Sequence, residues 1–304
     1  SPGTIAPRIP LITAVSGLFG ALLAMLLVIV RMLLSRSIKT PEQLEELGLP
    51  VYATLPNSGE QAGLTERIRP RRAKKAQEVF RGLLAVKKPA EIAVEALRGL
   101  RTSLYFAMLE SDNNRLMITG ASPGVGKSFI AANLAAVCAQ AGQKVLLIDA
   151  DMRRGHLHHA FHGKGIKGLS ELLARRISVE EAIRHSELDG LDYVARGSVP
   201  PNPSELLMQQ SFHDFLDTIS QHYDLVIVDT PPILAVTDAS VVGKLVGTSL
   251  MVVRFDTNPP GEIKAAKRRL ESAGVRLKGG ILNGVKKPTS SRHGYYGSYL
   301  YAYR

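Results

Sequence analysis

Residues 116–142 read LMITGASPGVGKSFIAANLAAVCAQAG. Leu116 to Thr119 are an apolar, β-prone run; a glycine-rich loop follows, then an alanine- and leucine-rich helical pattern that stops at Gly142. Strand, glycine loop and helix in this order let backbone amides turn toward an anion, and the helix N-terminus adds partial positive charge. Gly124 and Gly126 free the loop backbone for that approach. Lys127 is spaced to reach β- and γ-phosphates, and the Ser128 hydroxyl suits a magnesium ion. The expected nucleotide-holding set is therefore Ser122, Pro123, Gly124, Val125, Gly126, Lys127, Ser128 and Phe129. Ala121 stands where such loops usually begin with glycine, and Gly120 lies one position earlier.

Two more apolar runs end in acid. KVLLIDADMR (144–153) presents Asp149 and Asp151, and YDLVIVDTPP (223–232) presents Asp229. In a parallel sheet the C-terminal strand ends line the ligand crevice, so all three carboxylates are expected to face the phosphates. Oxygen donors of this kind suit magnesium. Further runs complete the pattern: short helices within 169–185, a strand at 191–194, one helix over 204–220, a strand at 248–253, a helix over 261–273 and a last strand in LKGGILNGV. Strands alternating with helices predict an α/β fold, a doubly wound and mostly parallel sheet of the phosphate-loop NTPase type, with right-handed connections.

Composition agrees with a folded chain that meets acidic partners. Of 304 residues, 45% are hydrophobic and 21% charged, with a formal charge of +11 and a single cysteine, Cys138. One cysteine excludes an internal disulfide framework and a multi-cysteine zinc site. Residues 11–30, LITAVSGLFGALLAMLLVIV, carry no charge over 20 positions, enough as a helix for about 30 Å of hydrocarbon. Arg31, Arg36 and Lys39 follow this run and only Arg8 precedes it, which orients the bulk of the chain to the cytoplasm. The expected organisation is an extracytoplasmic stub (1–10), a transmembrane helix (11–34), a basic cytoplasmic linker (35–88), a catalytic domain (89–288) and a tail (289–304). Nine basic residues between 65 and 88 suit anionic lipid headgroups. The chain begins at Ser1, and we read it as a piece of a longer or processed polypeptide.

Glu95, Arg98 and Arg101 recur every third residue and share a helix face. Spacing alone favours a local ion pair over a bridge between subunits. His156, His158, His159 and His162 read as a polar loop, with a metal site as the lesser alternative.

The three acidic and glycine motifs in this order, with DADMR in the middle, resemble those of the bacterial tyrosine kinases of the Wzc-type polysaccharide co-polymerase family. The resemblance covers about residues 5–304. It implies ATP and Mg2+ as cofactors, with Lys127 and Ser128 on the phosphates and metal. Asp151 and Asp229 would support the metal, and Asp149 would accept the tyrosine proton. Asn283 would lie near the adenine. Glu95, Arg98 and Arg101 match that family's oligomerisation signature, which turns the reading toward a homo-oligomeric ring, an octamer being one candidate. Tyr295, Tyr296, Tyr299, Tyr301 and Tyr303 would be phosphoacceptors, modified by a neighbouring subunit. Five phosphates would add about −7 to −10 charges and oppose packing of the tails. Implied partners are a cognate tyrosine phosphatase, an outer-membrane polysaccharide export protein and membrane lipid, and no nucleic acid; the implied location is the inner membrane. Where some family members carry an internal regulatory tyrosine, this chain has Arg154-Gly155-His156. The competing readings are a partition or site-placement ATPase of the same fold and a non-catalytic polysaccharide-length scaffold. The ATPases usually place a signature lysine at the position of Ser122 and lack the tail.

Overall fold

The computed structural model describes residues 9–34, 37–59, 65–68, 77–80 and 82–286. The five tail tyrosines lie outside these residues, as do six of the nine basic residues between 65 and 88. Two compact units result, Ser1–Ser37 and Ile38–Arg304.

The first unit contributes one helix, α1 (Ile9–Leu34). Its described side chains, 12–27, include Ile12, Val15, Leu18, Phe19, Leu22 and Leu26, and all of these are exposed. Over the described residues alone, no helix is long and apolar enough to cross a membrane. The backbone helix itself runs 26 residues.

The second unit is built on a sheet. Its helices are α2 (Pro41–Glu45), α3 (Leu84–Lys87), α4 (Ile92–Leu109), α5 (Lys127–Gln140), α6 (Leu169–Leu173), α7 (Val179–Ala182), α8 (Pro203–Met208), α9 (Gln210–Ile219), α10 (Asp238–Gly243) and α11 (Pro260–Ser272). The strands are β1 (Val51–Pro56), β2 (Thr65–Ile68), β3 (Gln77–Phe80), β4 (Arg115–Gly120), β5 (Val145–Asp149), β6 (Ile183–His185), β7 (Leu191–Val194), β8 (Leu225–Asp229), β9 (Thr248–Arg254) and β10 (Gly279–Val285). Eight strands form one sheet in the order β1-β10-β9-β4-β8-β5-β7-β6, and β2 pairs with β3 in a separate antiparallel ribbon. Every neighbour pair in the large sheet is parallel except β6 with β7. The α/β class and the mostly parallel sheet are thus as the strand–helix alternation predicts.

The central strands β4, β5 and β8 are buried along their whole length. A strand covered on both faces reads as a continuous apolar run, which is why these were visible in the sequence. Two layers of core result. Leu116, Ile118, Leu147, Ile227 and Leu250 pack on α5 and α4. Met117, Ile148, Val226, Val228 and Met251 pack with Phe212, Leu216, Ile263 and Leu270 from α9 and α11 on the other face. Helix α5 is small-residue-rich and buried on all sides from Phe129 to Ala139.

Three local expectations are corrected. The stretch after the first helix is no linker: Ile38–Asn57 belongs to the sheet-bearing unit, and Val51–Pro56 lies parallel against β10. Pro50 and Pro56 hid it, since β1 is an edge strand, where proline is tolerated. The helix expected over 204–220 is two, because Gln209 takes extended backbone (φ −70°, ψ 149°) between α8 and α9. Ile183–His185, expected to end a helix, turns back as the antiparallel strand β6.

Candidate active site

The phosphate loop, residues 121–126, leaves β4 and enters α5 at the C-terminal edge of the sheet. Gly124 (φ 79°) and Gly126 (φ 98°) are left-handed, and a Cβ on Gly126 would stand 2.2 Å from the Asn283 Nδ2. The shifted first glycine is explained by packing. A Cβ on Gly120 would meet Val125 Cγ2 at 2.7 Å and the Val252 carbonyl at 3.0 Å, whereas Ala121 is fully buried with its methyl accommodated. The side chains of Val125 and Phe129 are buried in the core, so these two residues offer the site only backbone.

Beside the loop, the sheet register sets the acids. Asp149 and Asp229 are partners in the β5–β8 pairing, and Ile118 of β4 is partner to Asp229. Adjacent strands lie about 4.8 Å apart, so the two carboxylates are neighbours. Both residues are fully buried. Asp149 Oδ2 accepts the Leu157 amide at 3.1 Å, while Oδ1 has no partner. Burial, then the charges of Asp229 and Asp151, hold its pKa well above the usual carboxylate range. Asp229 is pushed up to about 7, burial again leading, with Lys127 and the Ser128 hydroxyl pulling the other way. Ser128 acts on that carboxyl from nearby, yet no hydrogen bond of normal geometry reaches either Asp229 oxygen.

Lys127 opens α5 and is buried. Desolvation lowers its pKa, opposed by Asp229 and Asp151. Asp151 uses Oδ1 to accept the Arg154 amide at 2.8 Å and the Arg153 amide at 3.2 Å, which folds the turn after β5 back on itself. That turn brings Gly155 against Asp149: a Cβ there would stand 2.1 Å from Oδ1.

Asn283, expected near the adenine, lies on β10 beside the phosphate loop. It is buried, and its Nδ2 donates to the Val125 carbonyl at 2.9 Å, bracing the exit of the phosphate loop. Other participants were not foreseen. Arg153 Nε donates to the fully buried Asp238 at 3.2 Å and its Nη2 to Ser204 at 3.0 Å. Arg196, at the end of β7, pulls the Asp149 pKa downward, the effect of a nearby cation. The Thr230 hydroxyl and amide both bond the Ile118 carbonyl at 3.1 Å. Asp238, Arg196 and Thr230 follow strands or open a helix, and only the three-dimensional register reveals their neighbours.

Two other expected features sit away from the loop. Arg98 pairs with Glu95 on its own helix at 2.7 Å, and Arg101 donates to the Val137 carbonyl at 3.3 Å. A cavity of about 350 Å³ is lined by Glu171, Ser198, Val199, Pro200, Pro201 and Glu205, with no residue of the phosphate loop in its wall.

The residues fit a nucleotide with magnesium. Unpartnered buried oxygens on Asp149 and Asp229, a buried cation and a glycine loop at a helix N-terminus form a half-built polar site. Among the described residues, no three His, Cys, Asp or Glu side chains converge as a ready metal cage. Magnesium sites of this class draw most ligands from substrate phosphates and water, with one or two carboxylates from protein.

A family model described as an AAA domain matches residues 116–253. The chain is 48% identical over 298 residues to the tyrosine-protein kinase etk of Escherichia coli (strain K12), covering 97% of this chain and 41% of that protein. It is 43% identical over 306 residues to the tyrosine-protein kinase wzc of Salmonella typhimurium, covering 100% of this chain and 42% of that protein. The chain thus spans about two-fifths of the length of the curated relatives it matches. Among solved structures, the kinase domain of the Escherichia coli tyrosine kinase ETK superposes with a TM-score of 0.75 at 52% identity, covering 85% of this chain and 99% of that one.

Proposed function

Because the chain belongs to the bacterial tyrosine-protein kinases and carries that family's kinase domain, we propose that it transfers the γ-phosphoryl group of ATP to tyrosine hydroxyls. The observation that carries this reading is the pairing of unpartnered Asp149 and Asp229 oxygens with the buried Lys127 at one end of the phosphate loop. Phosphoryl transfer asks for alignment and charge neutralisation more than for a strong base. Lys127 supplies a fixed cation to the β- and γ-phosphates, and the loop amides and the α5 N-terminus orient them. Ser128, Asp151 and Asp229 would hold magnesium, which neutralises phosphate charge when bound. Asp149 would take the tyrosine proton in its ionised form, which bound magnesium and Arg196 both favour over the proton it holds in the empty site.

The natural acceptor is the cluster Tyr295, Tyr296, Tyr299, Tyr301 and Tyr303. Modification by a neighbouring subunit in a homo-oligomeric ring is the reading that the Glu95–Arg98–Arg101 stripe supports. Accumulated phosphate charge would then control assembly and, through it, capsule or exopolysaccharide polymerisation and export, with a phosphatase resetting the tail. Helix α1, apolar and exposed on every described side, supports an inner-membrane anchor with the kinase domain cytoplasmic.

The test is intact-mass counting of phosphates after incubation with magnesium–ATP, beside Lys127→Met. Several phosphates mapping to 295–303, absent in the variant, are the expected result. ATP hydrolysis with an unmodified tail would replace the kinase by a placement ATPase. An unchanged rate in Lys127→Met would remove the site.

A further inference from the structure

The entry to the phosphate loop is held by a side chain from a distant loop. Asn258 lies 136 positions from Ser122 in sequence and is 1% exposed. Its Oδ1 accepts the Arg254 amide at 2.8 Å, which fixes which end of the amide is which. Its Nδ2 therefore donates, to Ser122 Oγ at 2.8 Å and to Glu262 Oε2 at 3.2 Å. The loop that carries Asn258 is itself pinned: the Ile38 amide donates to the Asn258 carbonyl at 2.9 Å, and the Asp256 amide to the Ile38 carbonyl at 2.8 Å.

The consequence lies at Ser122. A hydroxyl has one proton to give and two lone pairs to accept with. Since an amide NH2 is a donor only, Ser122 Oγ must accept from Asn258, and its proton points elsewhere. Ser122 is only half-buried, beside the exposed Pro123 and Gly124 at the loop crest where phosphates approach. We infer that Asn258 is a positioning residue that fixes Ser122 as a neutral hydrogen-bond donor to a nucleotide phosphate. Glu262 polarises the Asn258 amide and strengthens the relay. This rests on the nucleotide reading above and adds to it a specific contact and its support.

The test uses the full chain in detergent micelles, titrated calorimetrically with magnesium–ADP, so that binding is read apart from phosphoryl transfer. Ser122→Ala is expected to weaken binding about ten- to a hundredfold, the scale of one lost hydrogen bond to a charged group. Ser122→Thr, which keeps the hydroxyl, should stay within about twofold of wild type. Asn258→Asp in a Glu262→Gln background keeps the acceptor for the Arg254 amide and removes the donor to Ser122. It should match the loss in Ser122→Ala, and adding Ser122→Ala to it should cost nothing further, as coupled partners do. A merely structural Asn258 would give losses that multiply. That outcome, or Ser122→Ala binding like wild type, overturns the inference and leaves the kinase reading intact. If the Asn258 variant does not fold, the alanine–threonine contrast at Ser122 tests the phosphate contact on which the positioning role depends, and equal affinities overturn the inference. A wild-type chain that binds no nucleotide would overturn both.

Discussion

The two flanks of the phosphate loop use their polar atoms differently. On the flank of β9 and β10, Asn258 bonds the Arg254 amide, Ser122 and Glu262, and Asn283 Nδ2 bonds the Val125 carbonyl. On the flank of β5 and β8, Asp149 leaves one oxygen without a partner and Asp229 leaves two. A buried group without a partner costs about 1–3 kcal/mol, more if charged. Most of this cost falls on the β5–β8 flank, where three carboxylate oxygens lack a partner against the single Oδ1 of Asn283 on the supporting flank. The supporting side needs neutral amides that are indifferent to ligand, while the costly side needs groups that improve when a cation and phosphates arrive.

Replacing the costly side should separate stability from activity most sharply. Asp149→Asn keeps an acceptor for the Leu157 amide and removes a buried acid beside Asp229. We expect tyrosine phosphorylation to fall by about 10²-fold or more. The folded state holds a proton on Asp149 that the unfolded chain has lost above the usual pKa of 3.8. Native stability therefore falls as pH rises from about 4 toward the raised pKa, and the variant should flatten that slope. Calorimetry at pH 8 should show the empty variant melting higher than wild type; a lower melting point would contradict the stored cost.

Gly155→Ala tests the same flank without touching charge. Its Cβ would displace the Asp149 carboxylate, 2.1 Å away, so kcat should drop about tenfold or more while KM for ATP changes little. Steady-state kinetics distinguishes this from a loop defect, which would move KM.

The histidines after this turn give a smaller effect. Burial lowers His158 to about 4, helped by His159, Arg196, His156 and Arg184, and His156 is likewise lowered to about 4, against the opposing pull of Asp151. Both stay neutral in the fold, while unfolded histidines titrate near 6.5. Their contribution is present above pH 6.5 and lost as pH falls toward 4. This loss opposes the gain that Asp149 brings as pH falls, and His158→Gln should raise the melting temperature near pH 4, relative to wild type, more than it does near pH 7.

The smallest expected change in stability is at Arg98→Ala. Its exposed bond to Glu95 is worth about 0.3–0.5 kcal/mol, so the melting point should hardly move. If the stripe also bridges subunits, light scattering will show a smaller particle. An unchanged mass would confine the pair to its own helix.

These contrasts follow what the chain discloses about itself. Asp149 and Asp229 were legible because each ends a strand buried on both faces, so an acid after four or five apolar residues stands out. Lys127 was legible because its chemistry and its spacing from Gly126 are local. Asn258 was not, since an asparagine before Pro-Pro-Gly looks like any turn until β9 and β4 bring it beside Ser122. The break at Gln209 carries no glycine or proline to announce it. Strand β1 was obscured by the prolines around it and by its half-buried pattern.

That first strand has a practical outcome for anyone trimming the protein. β10 hydrogen-bonds β9 on one side and β1 on the other, and Ile281 and Leu282 are fully buried between them. A fragment started at Pro89, the boundary expected for the catalytic domain, would strip off β1 and leave a bare apolar strand margin. Such a margin recruits other chains by strand addition. Recombinant kinase fragments begun at Ile38 should stay dispersed, and shorter ones should precipitate or pair through a non-native seam.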